Sequence, residues 1–129
     1  MSKKRSVVAD LKNVLETMDK IDKFTENMDH EDFLEDEKTM FAVAKAIEII
    51  GETLNHIPEE IKEEYSDVPW DDIYGMRNFL AHNYFGSDQD EVWKTAKEDI
   101  PELRLTINKI LSEELEKLKQ LPDGKEDKE

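Results

Sequence analysis

The sequence contains no cysteine, which excludes a disulfide framework and any chemistry that depends on a thiolate. It also has no apolar run near the roughly 18 residues that a membrane-spanning helix needs. The basic first residues are not followed by the apolar core of a signal peptide. We therefore expect a cytoplasmic protein without a membrane partner.

Positive charge is scarce as well. Lysine and arginine together number 18 against 33 aspartates and glutamates, which gives a formal net charge of −15. This charge argues against broad, non-specific nucleic-acid binding, which depends on basic surface. An RNA substrate would have to meet a local positive site, or a second chain would have to supply the charge. Arg77 lies in an otherwise apolar stretch and is of interest because a guanidinium binds phosphate as a planar fork.

Apolar residues recur at three- and four-residue spacing along most of the chain, which predicts amphipathic helices. The stripes cover about 7–28, 37–57 and 92–118, and Pro101 is expected to kink or divide the last of them. A short helix is predicted after Pro58, and a further helix from Pro69 is predicted to carry Ile73, Met76, Phe79, Leu80 and Tyr84 and to end at Gly86. No segment alternates as a strand would. The sequence thus predicts an all-α, up-and-down bundle of four to five helices, with one domain over 1–120 and a charged tail over 121–129.

Several side chains have plain structural interpretations. Asp29 or Asp32 is predicted to cap a short turn, and Ser87 and Asp88 to cap the last helix. Trp70 and Trp93 are predicted to be core or dimer-interface residues. The acidic runs 31–37 and 113–116 are predicted to be solvated.

A metal site deserves consideration because Glu48, Glu52 and His56 follow one another at four-residue spacing on one helix face. A di-iron bundle requires Glu-x-x-His pairs on two helices, and the sequence contains none. We therefore predict neither a metal nor another resident cofactor.

The most informative stretch is GMRNFLAHNYFG, over residues 75–86. Arg77 and His82 are five residues apart, which separates them by about 140° around a straight helix. They can meet at one small target only if the helix ends or bends near Ala81, or if a second copy completes the site. A twofold dimer would bring two such helix ends together.

A histidine and an arginine are sufficient to promote one reaction of RNA without a metal: the attack of a 2′-OH on the adjacent phosphate. Histidine can take or give a proton near neutral pH, and arginine can stabilise charge that develops on a phosphate. RNA carries its own nucleophile, the 2′-OH. Without further information, an arginine and a histidine five residues apart on an apolar helix are more often structural.

The run Arg77-Asn78-x-x-x-His82-x-Tyr84 resembles the R-x-x-x-x-H-x-Y signature of HEPN toxins of the HepT-like branch. The similarity also includes AIEIIGETLNHI at 46–57, VPWDDI at 68–73, YFG at 84–86 and DIPEL at 99–103. It covers roughly residues 7 to 118. The motif together with its flanking PW and YFG is a specific combination.

This resemblance implies a homodimeric HEPN-like bundle whose motif residues face a cleft at the dimer interface. It implies metal-independent RNA cleavage that arrests growth. We expect no DNA partner. The partner would be a minimal nucleotidyltransferase antitoxin, which transfers AMP from ATP to Tyr84 and so silences the nuclease. ATP would serve only as that AMP donor.

Residue roles follow as hypotheses. His82 would act as general acid or base and Arg77 would bind the scissile phosphate. Asn78 would bind the phosphate or hold His82, and Tyr84 would line the cleft and accept AMP. Glu52 would orient Arg77, although a surface or capping role is equally open. The alternative function is a non-catalytic dimeric binding subunit of a nucleotidyltransferase complex, and a purely structural helical dimer ranks last.

Overall fold

The computed structural model describes residues 3–75 and 89–120, and none of these residues lies in a strand. The elements are α1 (Lys3–Phe24), α2 (His30–Glu35), α3 (Glu37–Asn55), α4 (Glu59–Glu64), α5 (whose described part is 70–75), α6 (Gln89–Lys94), a π-helical turn (Thr95–Asp99) and α7 (Ile100–Lys119). The predicted all-α fold is confirmed.

Helix α1 packs along both α3 and α7, and these three helices form the centre of the core. Their fully buried apolar side chains are Val7, Leu11, Val14, Met18 and Ile21 of α1, Val43, Ile47, Ile50 and Leu54 of α3, and Ile100, Ile107 and Ile110 of α7. Removing these side chains from water provides the main driving force for folding.

Helix α1 runs antiparallel to α3 and α7. Burial raises the pKa of Asp10 near the start of α1, and the charge of His56, just after α3, opposes this shift, so these two ends are close. At the other end of α1, Arg104 of α7 donates to Asp19 and Asp22 at 2.6 and 2.7 Å. Helix α1 is therefore antiparallel to both neighbours, as the predicted up-and-down bundle requires.

The turn between α1 and α3 is built from caps. The Asp29 carboxylate accepts from the backbone of Asp32 at 2.8 Å, and the Asp32 carboxylate accepts from the backbone of Asp29 at 3.1 Å. Both aspartates thus take part in one capping box, where the sequence predicted one or the other. Asp36 caps α3 by accepting from the backbone of Thr39, which lowers the pKa of Asp36.

The helical stretch from α6 to α7 contains a π-helical turn just before Pro101. The Ile100 N–H donates to the Thr95 carbonyl, five residues back rather than four. Pro101 itself has no N–H to donate to the Lys97 carbonyl, four residues earlier. The break predicted at Pro101 therefore takes the form of a π turn inside a continuous helical stretch rather than two separate helices.

Two details of the predicted burial are wrong. Glu114, predicted to lie on a solvated face, is fully buried, and Phe24, predicted to be on the core stripe of α1, is 41% exposed. Trp70 and Trp93 pack against the core as predicted. Ser87, Asp88 and the tail 121–129 lie outside the described residues. Within 3–75 and 89–120, no helix is long and apolar enough to cross a bilayer.

Candidate active site

The four predicted motif residues, Arg77, Asn78, His82 and Tyr84, lie outside the described residues, in the stretch 76–88 of the sequence. Their relative geometry therefore remains a prediction. The structure does describe the two stretches of chain that lead into and out of this segment. Each is held by its own cluster of polar and aromatic side chains.

The stretch before the motif is held through Trp70. Its indole N–H donates to the Tyr65 carbonyl at 3.1 Å, and its backbone N–H donates to the Val68 carbonyl at 2.8 Å. One turn later, Ile73 is buried and donates its backbone N–H to the Pro69 carbonyl. These bonds set where α5 begins, seven residues before Arg77.

Tyr65 connects this stretch to α7 through the upstream cluster, which we define as Tyr65, Trp70, Glu114 and Lys117. The Tyr65 hydroxyl donates to Glu114 Oε2 at 2.7 Å, and Lys117 Nζ donates to the same oxygen at 2.9 Å. Lys117 also donates to Glu64 and lies 5.4 Å from the Tyr65 ring centre. Glu114 Oε1 is buried without a hydrogen-bond partner among the described residues.

The pKa values of this cluster follow from its burial and charge. Burial, and then the hydrogen bond to Glu114, raise the pKa of Tyr65 well above its ordinary value of 10.0. Burial alone would lower the pKa of Lys117, but its hydrogen bonds to Glu64 and Glu114 outweigh that effect and raise it. The phenol therefore stays neutral and the ammonium stays charged throughout the physiological range.

The stretch after the motif is held by the downstream cluster, which we define as His30, Asp90, Trp93 and Lys97. The imidazole of His30 stacks on Trp93, with ring centres 5.7 Å apart and planes at 2°, and its Nε2 lies 2.7 Å from Asp90 Oδ1. Lys97 Nζ lies 5.0 Å from the Trp93 ring centre and donates to Thr25 Oγ1 at 2.9 Å. The cluster joins α6 to α2 and to the end of α1.

A cavity of about 560 Å³ lies between α5 and the stretch from α6 to α7. Ile73 and Leu103 supply apolar lining. Its acidic lining residues are Asp72, Glu91, Asp99 and Glu102. Carboxylates that line one cavity repel phosphate and favour a cationic group. Among the described residues, this wall cannot by itself bind an RNA backbone.

Glu52 lies on the outward side of α3 with its side chain 45% exposed, and its Oε1 is 3.8 Å from His56 Nε2. The predicted role in orienting Arg77 is untested, because Arg77 lies outside the described residues. No group of three or more potential metal ligands occurs within 3–75 and 89–120, so the stripe of Glu48, Glu52 and His56 does not converge on a site.

Comparison with known proteins identifies the family. The family model described as Ribonuclease HepT-like matches residues 14–110, three-quarters of the chain. This chain belongs to the HepT-like ribonuclease family. The match includes the whole downstream cluster, Tyr65 and Trp70 of the upstream cluster, and the whole segment that carries Arg77, His82 and Tyr84. The predicted HEPN-type, HepT-like ribonuclease is confirmed at the level of family and enzyme class.

Curated relatives of this HepT-like chain are also named as ribonucleases. Two are Methanocaldococcus jannaschii proteins whose names assign them provisionally to the RNases. One is 42% identical over 85% of this chain and 91% of its own length, and the other is 41% identical over 88% and 98%. A Thermococcus cleftensis protein named as a probable ribonuclease HepT is 44% identical over 83% of this chain and 97% of its own. No solved structure matches this chain significantly.

Sequence reasoning missed both clusters of this HepT-like chain. Position 114 did carry a signal, since Glu114 follows Ile107 and Ile110 at the spacing of the buried stripe of α7. Glu114 was nevertheless predicted to be solvated, because its side chain is charged and lies in an acidic run. The stacking of His30 on Trp93 carried no comparable signal, because 63 residues separate them in the chain and only the packing of α2 against α6 joins them.

Proposed function

We propose that this HepT-like chain is a metal-independent endoribonuclease and the toxin of a toxin–antitoxin pair. One observation carries the proposal: the family match over residues 14–110 contains the complete Arg77-Asn78-x-x-x-His82-x-Tyr84 run. Cleavage uses the nucleophile that RNA itself supplies. A histidine and an arginine can promote that reaction without a resident cofactor.

In the proposed step, the 2′-oxygen forms a bond to the adjacent phosphorus and the bond from phosphorus to the 5′-oxygen breaks. His82 takes the proton of the 2′-OH or delivers one to the departing 5′-oxygen. Arg77 binds the non-bridging oxygens, where negative charge develops. The products are a 2′,3′-cyclic phosphate and a 5′-hydroxyl. Asn78 supports the phosphate or His82, and Glu52 supports Arg77.

The site is proposed to be composite, formed where two copies of the chain meet. The angular separation of Arg77 and His82 on a straight helix is about 140°, too wide for one helix to aim both at one phosphate. A second copy supplies the missing group, and two arginines meeting there give the local positive charge that a chain of net charge −15 otherwise lacks.

Control is proposed to come from a nucleotidyltransferase antitoxin that transfers AMP from ATP to the Tyr84 hydroxyl: the phenol loses its proton, its oxygen bonds to the α-phosphorus, and pyrophosphate leaves. The new phosphodiester would place bulk and a negative charge two residues from His82, where it would repel an RNA phosphate and compete for Arg77. Intact mass spectrometry detects the added AMP. A fully modified sample should cleave RNA far more slowly than an unmodified one, and equal rates would contradict this form of control.

The decisive experiment measures cleavage of an RNA pool in the presence of EDTA by wild type, His82→Ala and Arg77→Lys, each purified without the antitoxin. Arg104→Lys is the matched control, because it makes the same change in an arginine that binds Asp19 and Asp22 on the surface. We expect wild type and Arg104→Lys to cleave, and both motif variants to lose at least about 100-fold in rate while keeping fold and dimer.

The acidic cavity favours one second candidate, a non-catalytic dimeric subunit that binds a nucleotidyltransferase. Its carboxylates suit a basic protein surface better than RNA. This candidate predicts no cleavage by an unmodified wild-type dimer, together with stable co-purification with the transferase. Cleavage that His82→Ala abolishes would exclude it.

A further inference from the structure

The side chain of His30, at the start of α2, makes two contacts to α6. It contacts Asp90 in the first turn of α6 and Trp93 one turn later. These two contacts lie on one face of α6, because residues three apart are neighbours on a helix. Through these two contacts, the His30 imidazole restrains both the axial position and the rotation of α6 relative to α2.

The position of His30 is itself defined by its own helix. It is the first residue of α2, directly after the N-cap Asp29, whose capping box closes this turn. Phe33, one turn on, is fully buried and lies 5.1 Å from the Trp93 ring centre. His30 therefore connects α6 to a helix whose own position is fixed by a capping box and by the burial of Phe33.

Trp93 is held from the side of α1 as well. Lys97 lies 5.0 Å from its ring centre and bonds to the buried hydroxyl of Thr25. Since Lys97 lies in the π-helical turn, the position of that turn depends on the same contacts. The downstream cluster thus joins α6 and the π turn to two other elements at once.

The surroundings of His30 argue against direct RNA binding. Asp29, Glu31, Asp32 and Asp90 are its acidic neighbours in sequence or space. A phosphate at this point would meet their combined negative charge. We therefore assign the imidazole a role in holding α6 and not in binding the substrate.

Chain connectivity gives these contacts a functional consequence. Helix α6 begins five residues after Tyr84 and seven after His82. From these contacts we infer that His30 is a positioning residue of the ribonuclease: by holding α6 on α2, it sets where the chain leaves the catalytic segment. The inference rests on the proposed function, and it assigns His30 no contact with the reacting atoms.

The test compares His30→Ala with Glu31→Ala, which removes the adjacent exposed side chain from the same turn of α2. Each is assayed for kcat and KM on a short single-stranded RNA carrying a fluorophore and a quencher. We expect His30→Ala to lower kcat at least about fivefold, since small displacements of catalytic groups have large effects on rate. KM should change by less than about twofold, and Glu31→Ala should match wild type.

Two rescue variants identify the contact that matters. His30→Phe retains a ring for stacking on Trp93, whereas His30→Gln retains a donor for Asp90. Because the Asp90 side chain is 75% exposed, its ion pair is weak, and the stack should dominate. We expect His30→Phe to recover most of kcat and His30→Gln little of it. A wild-type kcat in His30→Ala, or an equal loss in Glu31→Ala, would overturn the inference.

Hydrogen–deuterium exchange separates this inference from the proposed function. His30→Ala should speed amide exchange in residues 89–94 and leave α1 unchanged, and this measurement requires no RNA. If wild type cleaves no RNA, the proposed function fails and the catalytic part of the inference fails with it. Faster exchange in α6 would then still support anchoring by His30, and unchanged exchange would overturn that as well.

Discussion

The upstream and downstream clusters lie on either side of the proposed catalytic segment but are built from different interactions. In the upstream cluster a fully buried carboxylate, Glu114, accepts hydrogen bonds from a phenol and an ammonium. In the downstream cluster, the His30 side chain is 47% exposed, and the main contacts are ring stacking and a cation near a ring.

Because of this difference, we expect the upstream cluster to contribute mainly to the stability of the fold and the downstream cluster to allow small changes in the position of α6. A buried charge that loses its partner is costly, so the upstream contacts must persist whenever the protein is folded. Exposed pairs and ring contacts contribute little individually, so the downstream contacts can change without unfolding the bundle. We therefore expect changes in the upstream cluster to affect stability and changes in the downstream cluster to affect the catalytic rate.

The largest effect is expected from Lys117→Met. It removes a cation whose Nζ bonds to buried Glu114 and leaves that carboxylate without its counter-charge. We expect a loss of about 3 kcal/mol in the free energy of unfolding, measured by urea denaturation. Adding Glu114→Gln should recover part of the loss, because a neutral amide is less costly to bury. A loss below about 1 kcal/mol would show that the cluster is effectively solvated.

Tyr65→Phe should have the next largest effect, about 1.5 kcal/mol, because it removes a hydrogen bond to a charged acceptor. The folded-state pKa of Tyr65 is raised above its ordinary value of 10.0, so the phenol's contribution is complete below pH 10 and is lost as the pH rises. The stability difference between wild type and Tyr65→Phe should therefore shrink between pH 9 and pH 11. A difference that is constant over this range would contradict the raised pKa.

Lys97→Met is the downstream counterpart of Lys117→Met. Thr25 keeps its own hydrogen bond to the Ile21 carbonyl, so no buried group loses its last partner. We expect a loss of less than about 1 kcal/mol in urea denaturation, together with a lower kcat for RNA cleavage. Equal destabilisation by the two lysine substitutions would remove the distinction between the clusters.

The smallest effect is expected from Asp36→Asn, outside both clusters. Asparagine also caps helices, so stability at neutral pH should change little. The pKa of Asp36 is lowered by the Thr39 backbone N–H, so its contribution is present above the ordinary value of 3.8 and is lost as the pH falls below it. Thermal unfolding from pH 6 to pH 3 should show a steeper decline in wild type than in Asp36→Asn.

Sequence reasoning predicted the helical class and most of the core because spacing alone encodes them. Met18, Ile47 and Ile107 recur with the helical period and are buried as that period requires. The HepT-like family followed from a short run of residues around Arg77 and His82. The capping aspartates at 29 and 32 were also predictable, because a cap depends only on neighbours in the chain.

The remaining features depend on which helices meet. The burial of Glu114 requires Tyr65 and Lys117 to surround it, and the stacking of His30 requires α2 to pack on α6. The sequence by itself determined the helices, their apolar faces, their caps and the motif of a ribonuclease, since each is a local property of the chain. Tertiary structure decided how Glu114 is satisfied by Tyr65 and that His30 stacks on Trp93, because each of these contacts joins residues that are far apart in the sequence.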